Sequence, residues 1–395
     1  MFLFFLPLYE APKNIFSVLF CFLGGWVAFR REDGARRFKS GDLVVWAFLL
    51  LAISPFVAGI NSPYAELGEH FFRALNWSLM SLVAIVLLLS NLSRDQILWV
   101  LRVLCVSTVI AVVQAFYHWT GSYPELNSVG HVNQSALYLA FSLIPAGLLV
   151  LYRQHWADLI LVGVVVLAVV WYQGPARSII GFGASVLVFS GFWFIHCINS
   201  RHIKTLGASV VLGAVVLSAA INMPSSYFGP YQGFKQELGV RLSSQSYAQR
   251  DRLVNSAIEV AGDSLTGFGL GSFGEATQPK NIKSAVEARR GDWASERGNF
   301  FSSSHGHNIF ANVLVERGWV GVFAISIFLI AILFLFLKYL KAGSSQAGVI
   351  TILVICLAGL GQSTLHVEHG QLALICLALC LRFTLMDQAS RPEPT

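Results

Sequence analysis

What most limits the fold of this chain is a succession of apolar runs that recurs almost end to end along its 395 residues. A helix needs roughly 20 mostly apolar residues to cross a bilayer, and within hydrocarbon only a helix or a closed barrel satisfies its own backbone hydrogen bonds. Such runs fall near Asn14 to Phe29, Leu43 to Ile60, Trp77 to Leu92, Ile97 to Tyr117, Val132 to Leu151, Leu159 to Tyr172, Ile179 to Cys197, Leu206 to Ile221, Trp319 to Leu337, Gly348 to Gly361 and Leu372 to Leu385. Hydrophobic residues make up 55% of the chain and charged residues only 12%, which excludes an ordinary soluble domain. The expected fold class is all-α, a polytopic membrane protein. Met1 to Tyr9 is apolar but short, and it is expected to be a trimmed first span. As a signal peptide it would lack a basic start and a small-residue cleavage site. With it, the count is about twelve transmembrane helices.

Orientation follows from the short basic loops, because Lys and Arg are retained on the cytoplasmic side. Arg30, Arg31, Arg36, Arg37 and Lys39 form the strongest such loop, and counting alternately from it places Arg94, Arg153, Arg201 with Lys204, Lys338 with Lys341, and Arg382 on the same side. The segments around His70, Tyr123, Pro175, 222–308 and His366 then face outward. Three regions result: an N-terminal transmembrane bundle (1–221), a large outer loop capping that face (222–308), and a C-terminal part (309–395) that opens on a re-entrant helix before its transmembrane helices.

The net charge of +6 is scattered over many loops, a pattern that suits anionic membrane lipids and not nucleic acid. Cysteines 21, 105, 197, 356, 376 and 380 lie in or at the ends of apolar runs, so no disulfide framework is expected.

The ionisable residues of the outer side carry the chemistry. Arg177 sits in Gln173-Gly174-Pro175-Ala176-Arg177-Ser178, a tight turn between two apolar spans. Its guanidinium must lie near the headgroups or point into the bundle; snorkelling to the interface is the plainer alternative. Arg250 and Arg252 precede a stretch with helix-like spacing, Leu253 to Val260. Arginine's planar fork suits a phosphate or diphosphate, although both side chains could equally pair with Asp251, Glu259 or Asp263. Gly267-Phe268-Gly269-Leu270-Gly271 is no nucleotide loop, since neither a strand nor a Lys-Ser/Thr pair accompanies it. It is expected to be a turn that lets backbone approach a ligand or another helix.

His305-Gly306-His307-Asn308 stands where the long hydrophilic loop returns to hydrophobic sequence. Asn308 is a good helix N-cap, and Ile309 to Arg317 is expected to form a helix of two to three turns that Gly318 stops. Asn308, Asn312 and Glu316, four apart, line one face. A histidine here suits general-base work on a sugar hydroxyl. A metal held by the His-x-His pair with His131, His366, Glu368 or His369 stays an alternative, though no spacing supports that set; so does a purely structural pair.

Ser304-His305-Gly306-His307-Asn308 followed by Glu316-Arg317-Gly318-Trp319-Val320-Gly321 resembles the O-antigen ligase family and relatives that share its C-terminal ligase/polymerase region. The family pattern of His, then Asn, Ser or Gln, then nine residues and Gly-x-x-Gly falls on His307, Asn308, Gly318 and Gly321. Pro7-Leu8 with Ala11-Pro12-Lys13-Asn14, Ala176-Arg177-Ser178, and the Arg-containing helix before the glycine turn add weaker likenesses. Two departures stand out. Ser264 and Leu265 occupy the place where the family often has Pro, and Leu253 or Val254 the place of an aromatic residue, which leaves the choice between Arg250 and Arg252 open. The resemblance implies transfer of a glycan from an undecaprenyl-diphosphate donor to lipid A-core as acceptor, at the periplasmic face of a bacterial inner membrane, with no metal or cofactor. It implies His307 as the base, Arg177 and Arg250 as catalytic groups at the diphosphate, and Arg252, His305, Asn308 and Glu316 at the substrates. An O-antigen polymerase would share the donor and differ in acceptor. A transporter or flippase would concentrate ionisable groups at mid-membrane, where these spans are nearly uncharged.

Overall fold

The structure, a computed structural model, describes residues 1–30, 42–58, 60, 67–90, 92–119, 124–152, 155–176, 178–200, 244–277, 306–365 and 367–389. Among these residues the chain is all-helical and forms no strand. The helices are α1 (Phe2–Phe5), α2 (Glu10–Arg30), α3 (Leu43–Val57), α4 (Leu67–Leu89), α5 (Arg94–Tyr117), α6 (Val132–Tyr152), α7 (Trp156–Ala176), α8 (Ile179–Ser200), α9 (Ser244–Ala261), α10 (Phe273–Ala276), α11 (Ile309–Lys338), α12 (Gly343–Gly359) and α13 (Val367–Ala389). Among the described residues seven segments are long and apolar enough to cross a membrane: His70–Leu89, Arg94–Tyr117, Val132–Tyr152, Trp156–Gln173, Ile179–His196, Ile309–Lys338 and Glu368–Gln388. By length and composition this is a membrane protein.

The expected run Leu206 to Ile221 and most of the expected loop 222–308 lie outside the described residues. The Met1 to Tyr9 segment contains a single helical turn, laid back along α2 with Phe2 against Phe20 and Phe5 stacked on Phe16. Four helical residues rise only about 6 Å, so that turn alone does not cross.

Helices α6 and α13 form the centre of the bundle, each with 89% of its span buried, whereas α7 and α8 bury 33% and turn most of their surface outward. Small residues make the close approaches inside. Any Cβ on Gly181 of α8 would stand 2.4 Å from the Ala136 Cβ of α6, and one on Gly147 of α6 would strike the Phe192 ring of α8. Lipid is as apolar as a leucine surface, so helices in a membrane associate through this kind of tight packing. The outward faces carry Phe22, Trp26, Trp156, Leu167, Trp171, Phe323, Ile330 and Phe334, all exposed.

Charged and polar side chains collect at the two ends of the bundle. At one end Arg102 of α5 makes a two-pronged pair with Asp158 of α7 (2.7 and 3.0 Å), and Tyr152 of α6 donates to Asp387 of α13 (2.5 Å). The other end holds the starts of α2, α4, α6, α8, α11 and α13. There Asn127 donates to the Leu8 carbonyl, Tyr172 to that of Pro124, and Asn308 to that of Leu360. Lys13 of α2 and Glu368 of α13 form an ion pair at this second end, 5% and 2% exposed.

Candidate functional site

The site is assembled around the start of α11. Asn308 caps that helix: its backbone is extended, and its Oδ1 accepts from the amides of Phe310 (2.9 Å) and Ala311 (3.1 Å). Two of the donors that every helix start leaves unsatisfied are thereby paired. The same amide's Nδ2 reaches the Leu360 carbonyl at 3.3 Å, tying the start of α11 to the end of α12. One residue earlier, His307 has φ 44, and it is the only non-glycine residue with positive φ among the described residues. Left-handed backbone is unfavourable for a residue with a Cβ and gathers at functional positions. Neighbouring contacts hold it there. Gly306 donates its amide to Asn312 Oδ1 at 3.1 Å and lies so close to Phe273 that a Cβ would come within 2.7 Å of its ring. The His307 ring in turn places Nδ1 2.9 Å from Gln362 Oε1, in the turn between α12 and α13.

Three turns further on, α11 breaks at Gly318 (φ 62, ψ −161). A break orphans carbonyls one turn before it, and the glycine loop supplies their partners. Phe268 N donates to the Val315 carbonyl (2.9 Å) and Gly269 N to the Glu316 carbonyl (3.0 Å). Beyond the break Val320 N donates to the Leu265 carbonyl (3.4 Å), and Gly271 N donates to the Glu316 carboxylate (3.0 Å). Gly267, Gly269 and Gly271 all have positive φ, which is what lets their backbone lie against the bend. The expected close approach of this loop to another helix is thus made to α11 itself.

Glu316 and Asn312 are both buried, with 4% and 3% exposure. The helix face that carries Asn308, Asn312 and Glu316 turns the Glu316 and Asn312 acceptors onto the backbone of Gly271 and Gly306. Glu316 ties the glycine loop in place, and Asn308 shapes the His307 turn.

The same loop leads back to α9. Leu253 and Ala257 of α9 pack with Phe273, Ala276, Ala311 and Val315 in a small apolar cluster of their own. Positions 250 and 252 thus belong to a helix seated on the first half of α11. Arg177 and His305 lie outside the described residues; the flanking Ala176 and Ser178 close α7 and precede α8 at the same end of the bundle as His307.

Four features rest on contacts between distant parts of the chain, which spacing alone does not show. Gln362 is one. Arg317, 1% exposed, stacks its guanidinium 3.8 Å from the centre of the Trp77 ring, and among the described residues none of its three nitrogens has a hydrogen-bond partner. Arg73, one turn before Trp77 on α4, donates to the Leu270 carbonyl at 2.7 Å. The Lys13–Glu368 pair is the last; Lys13 belongs to the Ala11-Pro12-Lys13-Asn14 stretch, whose role the sequence left blank. A His, Arg and Trp at positions 70, 73 and 77 of one helix, spaced three and four apart, are the one hint that α4 presents a polar face to the site.

No protein-family model matches this chain, and no curated protein matches it either.

Proposed function

We propose that this protein is a membrane glycosyltransferase of the O-antigen ligase type. It moves a glycan from undecaprenyl diphosphate onto lipid A-core at the periplasmic face of a bacterial inner membrane. The observation that supports this best is His307, held in left-handed backbone at the mouth of α11 with one ring nitrogen engaged by Gln362. An imidazole presented in this way at a bundle end suits proton abstraction from a hydroxyl.

In this reading the acceptor hydroxyl attacks the anomeric carbon of the donor sugar. The new glycosidic C–O bond forms as the sugar-to-phosphate C–O bond breaks, His307 takes the hydroxyl proton, and undecaprenyl diphosphate leaves with the bonding pair. Negative charge grows on the departing diphosphate, which calls for fixed cations in a site partly closed to water. Arg177 and Arg250 are proposed for that task, with Arg252 and His305 nearby at the substrates. Asn308 and Glu316 serve by holding the base and the loop, as their hydrogen bonds indicate. The large outer loop and the count of about twelve spans belong to the same proposal.

A lipopolysaccharide gel of a deletion strain complemented with His307→Ala tests it. Bare core, with long chains restored by the wild-type gene, is the expected result. Long chains attached in the His307→Ala strain would sink the proposal, and a core bearing a single repeat unit would instead identify an O-antigen polymerase.

A further inference from the structure

We infer that Gln362 is a positioning residue that sets the tautomer of His307; the inference rests on the reading of His307 as the base. Gln362 Oε1 lies 2.9 Å from His307 Nδ1, and an amide oxygen can only accept a hydrogen bond. The neutral ring must therefore carry its proton on Nδ1, which leaves the lone pair on Nε2. That nitrogen is then the one to receive the acceptor's proton. With the opposite tautomer the ring would present a proton where a base is needed.

Both partners are held firmly enough for this contact to matter. Gln362 is only 3% exposed and its backbone amide donates to the Ala358 carbonyl at 2.9 Å. On its C-terminal side the Ser363 carbonyl meets His369 Nε2 at 2.7 Å, and Thr364 donates to the Ile355 carbonyl at 2.8 Å. From the other side, Asn308–Leu360 and His307–Gln362 form two links between the same short segments, each pair offset by similar steps along the chain. A shift of the α12–α13 turn would thus carry the imidazole with it.

Chemistry also favours an amide at this position. A carboxylate would fix the same tautomer while adding a negative charge that stabilises the imidazolium. Glutamine orients the ring without that charge, so the proton taken from the hydroxyl is more easily released afterwards. Groups that act on a histidine through its second nitrogen govern both tautomer and orientation.

The test uses full-length protein in lipid nanodiscs with 15N-labelled histidine, the His307 signals being assigned by their loss in His307→Ala. Wild type should show a protonated Nδ1 and an unprotonated Nε2, and Gln362→Leu should show a mixture. A wild-type ring protonated on Nε2, or an unchanged tautomer in Gln362→Leu, overturns the inference. With an undecaprenyl-diphosphate-linked glycan and lipid A-core, Gln362→Leu should lower kcat by about 10–100-fold. The donor KM should stay within about twofold, as expected for a contact that matters only in the transition state. Gln362→Glu, an acceptor of equal length, should recover most of the rate; equal losses in Leu and Glu variants overturn the role. The NMR readout needs no substrate. Correct tautomers with no glycan transfer by wild type would sink the glycosyltransferase reading and leave the Gln362–His307 relationship standing.

Discussion

Gly267 and Gly318 meet backbone to backbone: a Cβ on Gly267 would stand 2.5 Å from the Gly318 nitrogen, and one on Gly318 would stand 2.2 Å from the Leu265 carbonyl oxygen. Both residues also have positive φ, 78 and 62. The bend in α11 and the glycine loop are therefore one joint, and through it α9 is placed against the start of α11.

Alanine at either glycine should open that joint. Positive φ costs a residue with a Cβ about 1–3 kcal/mol, and forcing a methyl group into filled space adds about 1–3 kcal/mol more. Gly318→Ala and Gly267→Ala are expected to lower the melting temperature in detergent and to abolish transfer. Gly262→Ala is the control, since a Cβ there meets nothing within 4 Å. Wild-type stability in Gly318→Ala would show that the joint tolerates a side chain.

The buried pair Lys13–Glu368 makes a second prediction. Removing one member of a buried ion pair strands the other charge and costs about 3–5 kcal/mol, whereas neutral replacement of both is far milder. Lys13→Met should therefore destabilise strongly, and Lys13→Met with Glu368→Gln should recover most of the loss. Thermal unfolding of the two variants in nanodiscs distinguishes them; equal melting temperatures would mean the pair is not what holds α2 to α13.

Glu316 separates hydrogen bonding from charge. Its carboxylate accepts from Gly271 N while lying beside the buried Arg317. Alanine would leave that amide without its acceptor, a loss of about 1–3 kcal/mol. Glutamine keeps an acceptor for that amide, removes the charge and puts an NH2 donor in place of the second oxygen. The expected order of stability is wild type, then Glu316→Gln, then Glu316→Ala, read by thermal unfolding.

The order of legibility follows the range of the interactions involved. The seven helices that are long and apolar enough to cross a membrane were readable because hydrophobicity is a property of each run by itself, and the N-cap at Asn308 and the stop at Gly318 because caps and breaks are local. At Met1 to Tyr9, by contrast, apolar composition says nothing of the fold-back that sets Phe5 on Phe16. Gln362 is 55 positions from His307, and Lys13 is 355 from Glu368. Pairs so distant leave no periodicity in a sequence. The polar face of α11 shows the same limit: spacing placed Asn312 and Glu316 on one side of the helix, but only the packed loop shows that they meet protein backbone.

Asn308 combines two jobs that a substitution can divide. Its Oδ1 caps α11 through Phe310 and Ala311, while its Nδ2 holds the Leu360 carbonyl. Serine preserves a capping oxygen close to the backbone but has no second donor long enough for Leu360. Asn308→Ser should therefore stay within about 0.5 kcal/mol of wild type in stability and yet lose transfer activity, because the His307 turn is no longer clipped to the turn that carries Gln362. Alanine should lose both, with a stability cost of about 1 kcal/mol for the missing cap. If Asn308→Ser kept full activity, the link to Leu360 would be irrelevant to the base, and the His307–Gln362 contact would have to hold the geometry alone.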